Sequence, residues 1–268
     1  MYAREGALMP REVERGAAPE HDPVDVGVLI IGGTAAYGLD LTPWRPAGEP
    51  FILSTPYGES PPITLLQPDP GQPPVAFCSR HGRDALKRSA AFLNHRAMIW
   101  AAKMLGVKTI FSWNGVGAIH QGLEVGDRVV PADILDFTRA RVTTFGHPDL
   151  PPASGPAFHP AARAAILAAL PMPNPMPDPI YVCTEGPRLE TEAEIERYRR
   201  AGADVVGMTL SPEVFLAQEV GIRYASLCYV TNFATGRALG REPKRQFGPA
   251  VAHACLPILL RAASLLRK

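Results

Sequence analysis

Short apolar runs alternate with amphipathic stretches along most of this chain. Near-continuous runs of Val, Ile, Leu and Phe are typical of strands that are covered on both faces. Such runs lie at residues 26–31, 75–77, 109–112, 128–130, 180–183, 204–206 and 224–230. Helical patterns lie at residues 90–105, 160–170, 191–201, 212–220 and 248–266. Because helices separate the strands, the pattern predicts an α/β fold: a single domain with a twisted, mostly parallel mixed sheet flanked by helices.

The remaining segments are polar or rich in proline. Residues 1–23 contain mostly Arg, Glu, Pro and Gly, which bury little apolar surface, so a flexible N-terminal extension is predicted there and one domain over residues 24–268. Prolines crowd residues 148–160 and 171–179. Because proline lacks an amide proton, both stretches are predicted to be surface loops, and the first is long enough to cover a site.

Composition excludes several classes of partner. The formal net charge of the 268 residues is +1, which gives no reason to expect nucleic acid or an acidic membrane surface. Four widely spaced cysteines, Cys78, Cys183, Cys228 and Cys255, lack the pairing of zinc or redox motifs and are expected to be buried free thiols. No apolar run is long enough to cross a bilayer, so a cytoplasmic protein is expected.

Polar groups suited to an anion follow three of the predicted strands. Gly33 and Thr34 follow the first strand, Arg80 and His81 follow the second, and an Asn-Gly-Val-Gly segment at 114–117 follows the third. Backbone amides in a tight turn, hydroxyls and a fixed cation are what a phosphate needs. Each segment also has an ordinary interpretation: a strand exit, a surface arginine with a satisfied loop histidine, and a turn. The first segment lacks the G-x-G-x-x-G order, so a dinucleotide-binding dehydrogenase is a weak competitor.

A second group of polar residues lies between residues 184 and 232. Glu190 ends a Glu-Gly-Pro-Arg-Leu-Glu segment, Met208 and Thr209 follow an apolar strand, and Asn232 follows the last strand. The ordinary interpretations are an exposed carboxylate in the first turn of a helix for Glu190, core filling for Met208, and a loop cap for Asn232.

Six segments, in one order over about residues 24–234, resemble the family of trimeric purine nucleoside phosphorylases and methylthioadenosine phosphorylases. They read Ile-Ile-Gly-Gly-Thr (30–34), Ser-Arg-His-Gly (79–82), Asn-Gly-Val-Gly (114–117), Glu-Gly-Pro-Arg-Leu-Glu-Thr (185–191), Gly-Met-Thr (207–209) and Tyr-Val-Thr-Asn (229–232). The resemblance implies phosphorolysis of an N-glycosidic bond by a homotrimer, with inorganic phosphate as co-substrate and neither cofactor nor metal.

The resemblance also implies roles for individual residues. The phosphate site would contain Thr34, Arg80, His81, Gly115 and Thr209. The nucleoside site would contain Leu189, Glu190, Met208 and Asn232, with Leu189 in place of the family's usual aromatic residue. Asn232, Glu190 and His81 would be the catalytic residues.

Two of these residues bear on the base. The family's 6-oxopurine enzymes resemble this chain at Glu190 and Asn232, whereas its 6-aminopurine enzymes carry a small hydroxyl residue and an aspartate. A glutamate accepts from N1–H of hypoxanthine or guanine but faces a lone pair on N1 of adenine, and an asparagine amide donates to a 6-oxo group. A 6-oxopurine nucleoside such as inosine, guanosine or 5'-methylthioinosine is therefore the expected substrate.

Two other functions stay open from the sequence. One is a 5'-methylthioadenosine phosphorylase, which Glu190 and Asn232 oppose. The other is a non-catalytic nucleoside-binding homologue, because residues 84–93 depart from the family's pattern after the Arg-His-Gly segment. A simple hydrolase would leave the anion-binding groups without a purpose. The sequence does not distinguish a 5'-hydroxyl from a 5'-methylthio sugar.

Overall fold

The computed structural model describes residues 26–33, 36–67, 71–82, 90–241, 246 and 248–266. The extension predicted at residues 1–23, the predicted phosphate ligand Thr34 and most of the divergent 84–93 segment lie outside these residues. None of the helices in the described ranges combines the length and apolar character that crossing a membrane requires.

The described chain forms twelve strands and five α-helices. The strands are β1 Val28–Gly32, β2 Pro46–Phe51, β3 Ser54–Thr55, β4 Gly58–Glu59, β5 Ile63–Leu66, β6 Val75–Ser79, β7 Thr109–Ala118, β8 Arg128–Val129, β9 Asp133–Asp136, β10 Ile180–Cys183, β11 Val205–Gly207 and β12 Arg223–Phe233. The helices are α1 His95–Met104, α2 Pro160–Ala169, α3 Glu192–Arg200, α4 Leu210–Glu219 and α5 Pro249–Leu265.

Ten strands form one mixed sheet in the order β2-β5-β6-β1-β7-β11-β10-β9, with β12 paired to both β7 and β8. Strands β6, β1, β7 and β12 run parallel, and β11, β10 and β9 form a second parallel set. The two sets run in opposite directions, because β11 is antiparallel to β7. The predicted α/β class, with a mostly parallel mixed sheet, is confirmed.

Apolar side chains of the strands alternate between two cores, one on each face of the sheet. In β1, Leu29 and Ile31 enter the core beneath α1 and α4, whereas Val28 and Ile30 enter the core beneath α2 and α5. The runs predicted from the sequence are nearly continuous in apolar residues because both faces of the sheet are covered. The four cysteines are buried and free, as predicted.

The structure corrects the predicted elements at several points. The Asn-Gly-Val-Gly segment at 114–117, interpreted as a turn, lies inside β7, which continues to Ala118. Asn232, expected in a loop, lies in β12. The first predicted helix is shorter, since a 3-10 turn at Ala90–Phe92 precedes α1. Three strands of the main sheet, β2, β5 and β9, were not predicted.

Candidate active site

Strands β1, β6 and β7 bring their backbone together around the side chain of Arg80. The amide of Arg80 donates to the carbonyl of Gly32 at 3.0 Å, and its Nη1 donates to the carbonyl of Trp113 at 2.9 Å. A methyl group on Gly33 would lie 2.4 Å from the Trp113 carbonyl oxygen and 3.1 Å from Arg80 Nη1. Glycine is therefore required at position 33, because any side chain would collide with the backbone of β7.

The guanidinium of Arg80 is completely buried and forms a two-point ion pair with Glu213. Its Nε donates to Oε1 at 2.7 Å and its Nη2 donates to Oε2 at 2.8 Å, and neither side chain is exposed. The interpretation of Arg80 as a surface arginine is therefore wrong. Of its five N–H groups, these contacts and the Trp113 bond occupy three, and the other two have no acceptor among the described residues.

Two further side chains hold the Glu213 carboxylate. Tyr224 donates its hydroxyl to Oε2 at 2.6 Å, and Nδ1 of His95 lies 3.2 Å from Oε1. Burial alone would raise the pKa of Glu213, but the charge and hydrogen bonds of Arg80 outweigh it and hold that pKa well below its ordinary value. Burial lowers the pKa of His95 despite the nearby carboxylate, so the imidazole is neutral near pH 7. Its Nε2 is buried without a hydrogen-bond partner among the described residues.

Thr209 lies near the start of the helix that supplies Glu213, because β11 and the strands parallel to it run antiparallel to β7. The register pairs Val205 with Ala118 and Val206 with Gly117, so the chain that leaves β11 returns toward Asn114. Thr209 precedes α4, whose first turn supplies Glu213 to Arg80. The Thr209 side chain is buried, and its Oγ1 has no partner within the described part of the chain. A buried hydroxyl without a partner is costly, and a bound phosphate oxygen would satisfy it.

The other predicted phosphate ligands are placed as follows. His81 lies half-buried in the turn after β6. Gly115 lies in the middle of β7, where a methyl group would come 2.9 Å from Cγ2 of Thr231. Close packing of β7 against β12 is thus one reason for glycine there. The phosphate-binding roles of these residues and of Arg80 and Thr209 stay predictions.

Glu190 has the burial expected of a base-recognition residue. It is 7 % exposed although it directly precedes the helix-capping residue Thr191, so the interpretation as an exposed first-turn carboxylate is wrong. The hydroxyl of Thr184 donates to Oε1 of Glu190 at 2.6 Å. Thr191 and Glu194 form a capping box at the start of α3, which fixes the backbone immediately after Glu190.

A β-bulge places Asn232 opposite Gly117 of β7. The β12–β7 register shifts between Val230 and Asn232, so that Thr231 is an extra residue and Asn232 lies opposite Gly117. A methyl group on Gly117 would lie 3.3 Å from the Asn232 amide nitrogen. The amide donates one hydrogen bond to the carbonyl of Phe233 and accepts one from Thr231. Within the described part of the chain, one N–H and one lone pair of the Asn232 side chain have no partner.

Met208 and Leu189 border this group. The Gly186 turn, with φ of 63°, lies against Met208, since a methyl group there would be 2.5 Å from the Met208 sulfur. The Met208 side chain is half-buried rather than part of the core. Leu189 is 54 % exposed, which is unusual for leucine and places an apolar side chain at the protein surface beside Glu190.

Arg141 connects the segments of the site and was not anticipated from the sequence. From the loop after β9 it donates to the carbonyl groups of Met208, Ser211 and Glu185 and pairs with the Glu185 carboxylate at 3.1 Å. Its side chain is 5 % exposed. Neither periodicity nor a motif marks this residue, because its partners are 43 to 70 residues away along the chain.

The sequence profile of the phosphorylase superfamily matches residues 70–264, which include most of the elements described above. Curated relatives are similar to this chain in sequence over about three quarters of its length. A probable S-methyl-5'-thioinosine phosphorylase of Methanothermobacter thermautotrophicus is 40 % identical over 76 % of this chain and 71 % of its own length. A 6-oxopurine nucleoside phosphorylase of Pyrococcus furiosus is 37 % identical over 78 % and 80 %.

Solved structures agree with the sequence relatives. A methylthioadenosine phosphorylase of Schistosoma mansoni in complex with tubercidin superposes with a TM-score of 0.77 at 28 % identity, covering 90 % of this chain and 92 % of that protein. The chain belongs to the phosphorylase superfamily, and the resemblance drawn from its six segments is confirmed.

Proposed function

We propose that the protein is a phosphate-dependent purine nucleoside phosphorylase that prefers 6-oxopurine bases. Two observations carry this proposal: the carboxylate of Glu190 is buried, and a bulge places Asn232 opposite Gly117 of β7, the strand whose Trp113 carbonyl also holds the buried Arg80. Glu190 and Asn232 suit a purine with a 6-oxo function, and Arg80 suits an anion. Relatives named for 6-oxopurine nucleosides and for methylthioinosine support this assignment.

In this mechanism phosphate attacks C1' of the sugar while the glycosidic bond breaks. Positive charge grows on the sugar and negative charge on the purine as the bond stretches. Phosphate held by the two remaining N–H groups of Arg80 and the hydroxyl of Thr209 would stabilise the sugar cation and supply the nucleophile. The Asn232 amide would donate to the purine oxygen or N7 as negative charge develops there. The reaction as proposed needs no cofactor or metal.

Base preference follows from the donors of each purine. A 6-oxopurine presents N1–H to the Glu190 carboxylate and a carbonyl oxygen to the Asn232 amide. Adenine would present a lone pair to the carboxylate, and an unpaired buried polar group costs about 1–3 kcal/mol. Discrimination of about 10- to 100-fold against 6-aminopurines is therefore expected.

A 5'-methylthioadenosine phosphorylase is the second candidate, because a relative with that name in Hyperthermus butylicus is 34 % identical over 80 % of this chain. The test is purine release from inosine, guanosine, 5'-methylthioinosine and 5'-methylthioadenosine, each with and without phosphate. Release from the 6-oxopurine nucleosides alone supports the proposal, and the methylthio pair reports the sugar preference. Release from methylthioadenosine alone would support the second candidate, and no release would favour a nucleoside-binding protein without catalysis.

We further infer a homotrimer in which neighbouring subunits cover the mouth of the site. Leu189 and Val142 are 54 % and 53 % exposed. Val142 directly follows Arg141, and Leu189 lies four residues after Glu185, whose carbonyl accepts from Arg141. Apolar side chains in such a position favour burial against another subunit. Light scattering coupled to gel filtration should give a mass three times that of the 28.9 kDa chain. A monomeric mass would contradict the inference.

A further inference from the structure

Thr184 is the residue that holds the Glu190 carboxylate, and it was not among the expected site residues. It directly follows β10, and both side chains lie under the surface, with Thr184 6 % and Glu190 7 % exposed. The backbone of Thr184 is fixed, because its amide donates to the carbonyl of Gly207 at 2.9 Å. Its carbonyl accepts from Nη2 of Arg141 at 3.4 Å. A donor on a fixed backbone can impose one orientation on its acceptor.

The hydroxyl of Thr184 carries one proton and has two acceptors within reach. Oε1 of Glu190 lies at 2.6 Å, and the carbonyl oxygen of Gly207 lies at 3.4 Å. A carboxylate is the stronger acceptor, and a short bond to an ionised group is about twice as strong as one between neutral groups. The proton therefore goes to Glu190, and Oε1 already has a donor before any base arrives.

We propose that Thr184 is a positioning residue that makes the site selective for hypoxanthine nucleosides over guanine nucleosides. This inference rests on the proposed function and narrows its substrate class. Hypoxanthine presents N1–H alone on this edge, whereas guanine presents N1–H and the 2-amino group side by side. Two parallel donors match the two oxygens of a free carboxylate, as a bidentate partner does.

Because Oε1 already accepts from Thr184, Oε2 is the oxygen of Glu190 that has no donor among the described residues. One open oxygen matches the single N1–H donor of hypoxanthine. The 2-amino group of guanine would have to use the second lone pair of Oε1, whose first lone pair already accepts the 2.6 Å bond from Thr184, so its hydrogen bond would be weaker than one to a free carboxylate. Rotation of the carboxylate to offer both oxygens equally would cost the bond to Thr184.

The experiment measures kcat/KM for inosine and guanosine with saturating phosphate. Wild type should prefer inosine by about tenfold. Thr184→Val keeps the size of the side chain and removes the hydroxyl; inosine turnover should fall by about tenfold while guanosine turnover changes less, so the ratio moves toward one. Thr184→Ser should restore the wild-type ratio. Thr109→Val is the matched control, since Thr109 lies at the far end of β7 and its buried hydroxyl has no partner among the described residues.

A role limited to structure would lower both turnover rates equally, and that result for Thr184→Val would overturn the inference. Equal or better use of guanosine by wild type would also overturn it, and this measurement does not depend on whether Thr184→Val folds. If wild type releases no base from either nucleoside, the proposed function fails separately. Calorimetric binding of free hypoxanthine and guanine to wild type and Thr184→Ser then tests the same preference without turnover, and equal affinities would contradict it.

Discussion

The position of Asn232 depends on a single extra residue in β12. Without the bulge at Thr231, the alternation of a strand would direct side chain 232 to the opposite face of the sheet. The two glycines of β7, Gly115 and Gly117, make room on the partner strand, because methyl groups there would come within 2.9 and 3.3 Å of atoms in β12 and its neighbours. The bulge and the glycines together shape the proposed base site.

Replacement of Asn232 by aspartate should shift the preference toward 6-aminopurines. Aspartate accepts a hydrogen bond from an exocyclic amine and repels a carbonyl oxygen. The ratio of kcat/KM for inosine to that for adenosine should fall by at least about tenfold. Asn174→Asp, the same substitution in the loop before β10, should leave the ratio unchanged. A wild-type ratio in Asn232→Asp would count against the role of this residue.

The Arg80–Glu213 ion pair affects the stability of the fold as well as the proposed binding of phosphate. Both groups are removed from water, a cost that only good geometry and further hydrogen bonds can offset. Here the two parallel bonds, the Tyr224 hydroxyl and the Trp113 carbonyl supply that geometry. Because the pair is neutral overall, phosphate binding would rely on directed N–H groups and hydroxyls rather than on an excess of positive charge.

Glu213→Gln should lower the free energy of unfolding by about 3–5 kcal/mol, since it leaves the Arg80 charge buried without its partner. The pKa of Glu213 in the folded protein lies far below its ordinary value of 4.5. Its contribution is therefore complete above pH 4.5 and is lost as the pH falls toward the folded-state value. Urea denaturation from pH 7 to pH 3 should show a steep loss of stability in wild type and a shallower one in Glu213→Gln.

Glu219→Gln provides the control for that series. Glu219 is also buried and accepts a hydrogen bond from the amide of Phe145 at 2.7 Å. A glutamine oxygen still accepts from that amide, so the stability of this variant should change by less than about 1 kcal/mol. Equal losses in the two variants would mean that the Arg80 pair has no special importance.

Residue types could be predicted at most of these positions, but their partners could not. The polar segments after strands indicated Arg80, Glu190 and Asn232, and the structure buries the first two. Glu213 is 133 residues from Arg80 along the chain, and local pattern contains no information on that separation. The same holds for Arg141, whose importance appears only once four distant carbonyl groups are assembled around it.

At the level of elements, the candidate site lies where the C-terminal ends of two oppositely directed sets of parallel strands face each other along β7. The chain leaves β1, β6 and β12 in one direction, and leaves β10 and β11 in the other. Both sets of strand ends therefore arrive beside the second half of β7. Arg141 connects the returning segments, since it bonds to the turns that follow β10 and β11.

Arg141→Met should impair both stability and nucleoside affinity. The methionine retains packing volume but leaves buried carbonyl groups without a donor, at about 1–3 kcal/mol for each group. The KM for nucleoside should rise by about tenfold, because Arg141 holds the backbone of Glu185 and Met208, which border the proposed base and sugar sites. Arg141→Lys should recover only part of this loss, because one ammonium cannot reproduce a planar fork.

Arg139→Met is the matched control for Arg141. Arg139 lies two residues away in the same loop, and its side chain is exposed. This variant should keep the wild-type KM and the wild-type denaturation midpoint. If Arg141→Met behaved in the same way as Arg139→Met, the connecting role of Arg141 would be wrong.

The buried central strands were predictable, whereas the edge of the sheet was not. Strands β1, β6, β10 and β12 are mostly apolar along both faces because helices cover both faces of the sheet. Strand β2, with the sequence PAGEPF, contains two prolines and a glycine and is mostly exposed, which is tolerated at an edge and resembles a loop in the sequence. The extension of β7 through two glycines depends on its pairing with β12, a tertiary effect.

At the scale of the whole molecule, the candidate site collects residues from position 33 to position 232. Such a site forms only when the sheet and both cores are complete, so activity should be lost together with the tertiary structure. The family relationship, the fold and the two polar groups agree on one reaction. In that reaction the sugar is transferred to phosphate rather than to water.

The most direct test follows inosine and inorganic phosphate by ³¹P NMR with purified protein. We expect a sugar 1-phosphate signal to grow as inorganic phosphate declines, with one hypoxanthine formed for each phosphate consumed. Hypoxanthine released while the phosphate signal stays constant would identify a hydrolase and would contradict the account.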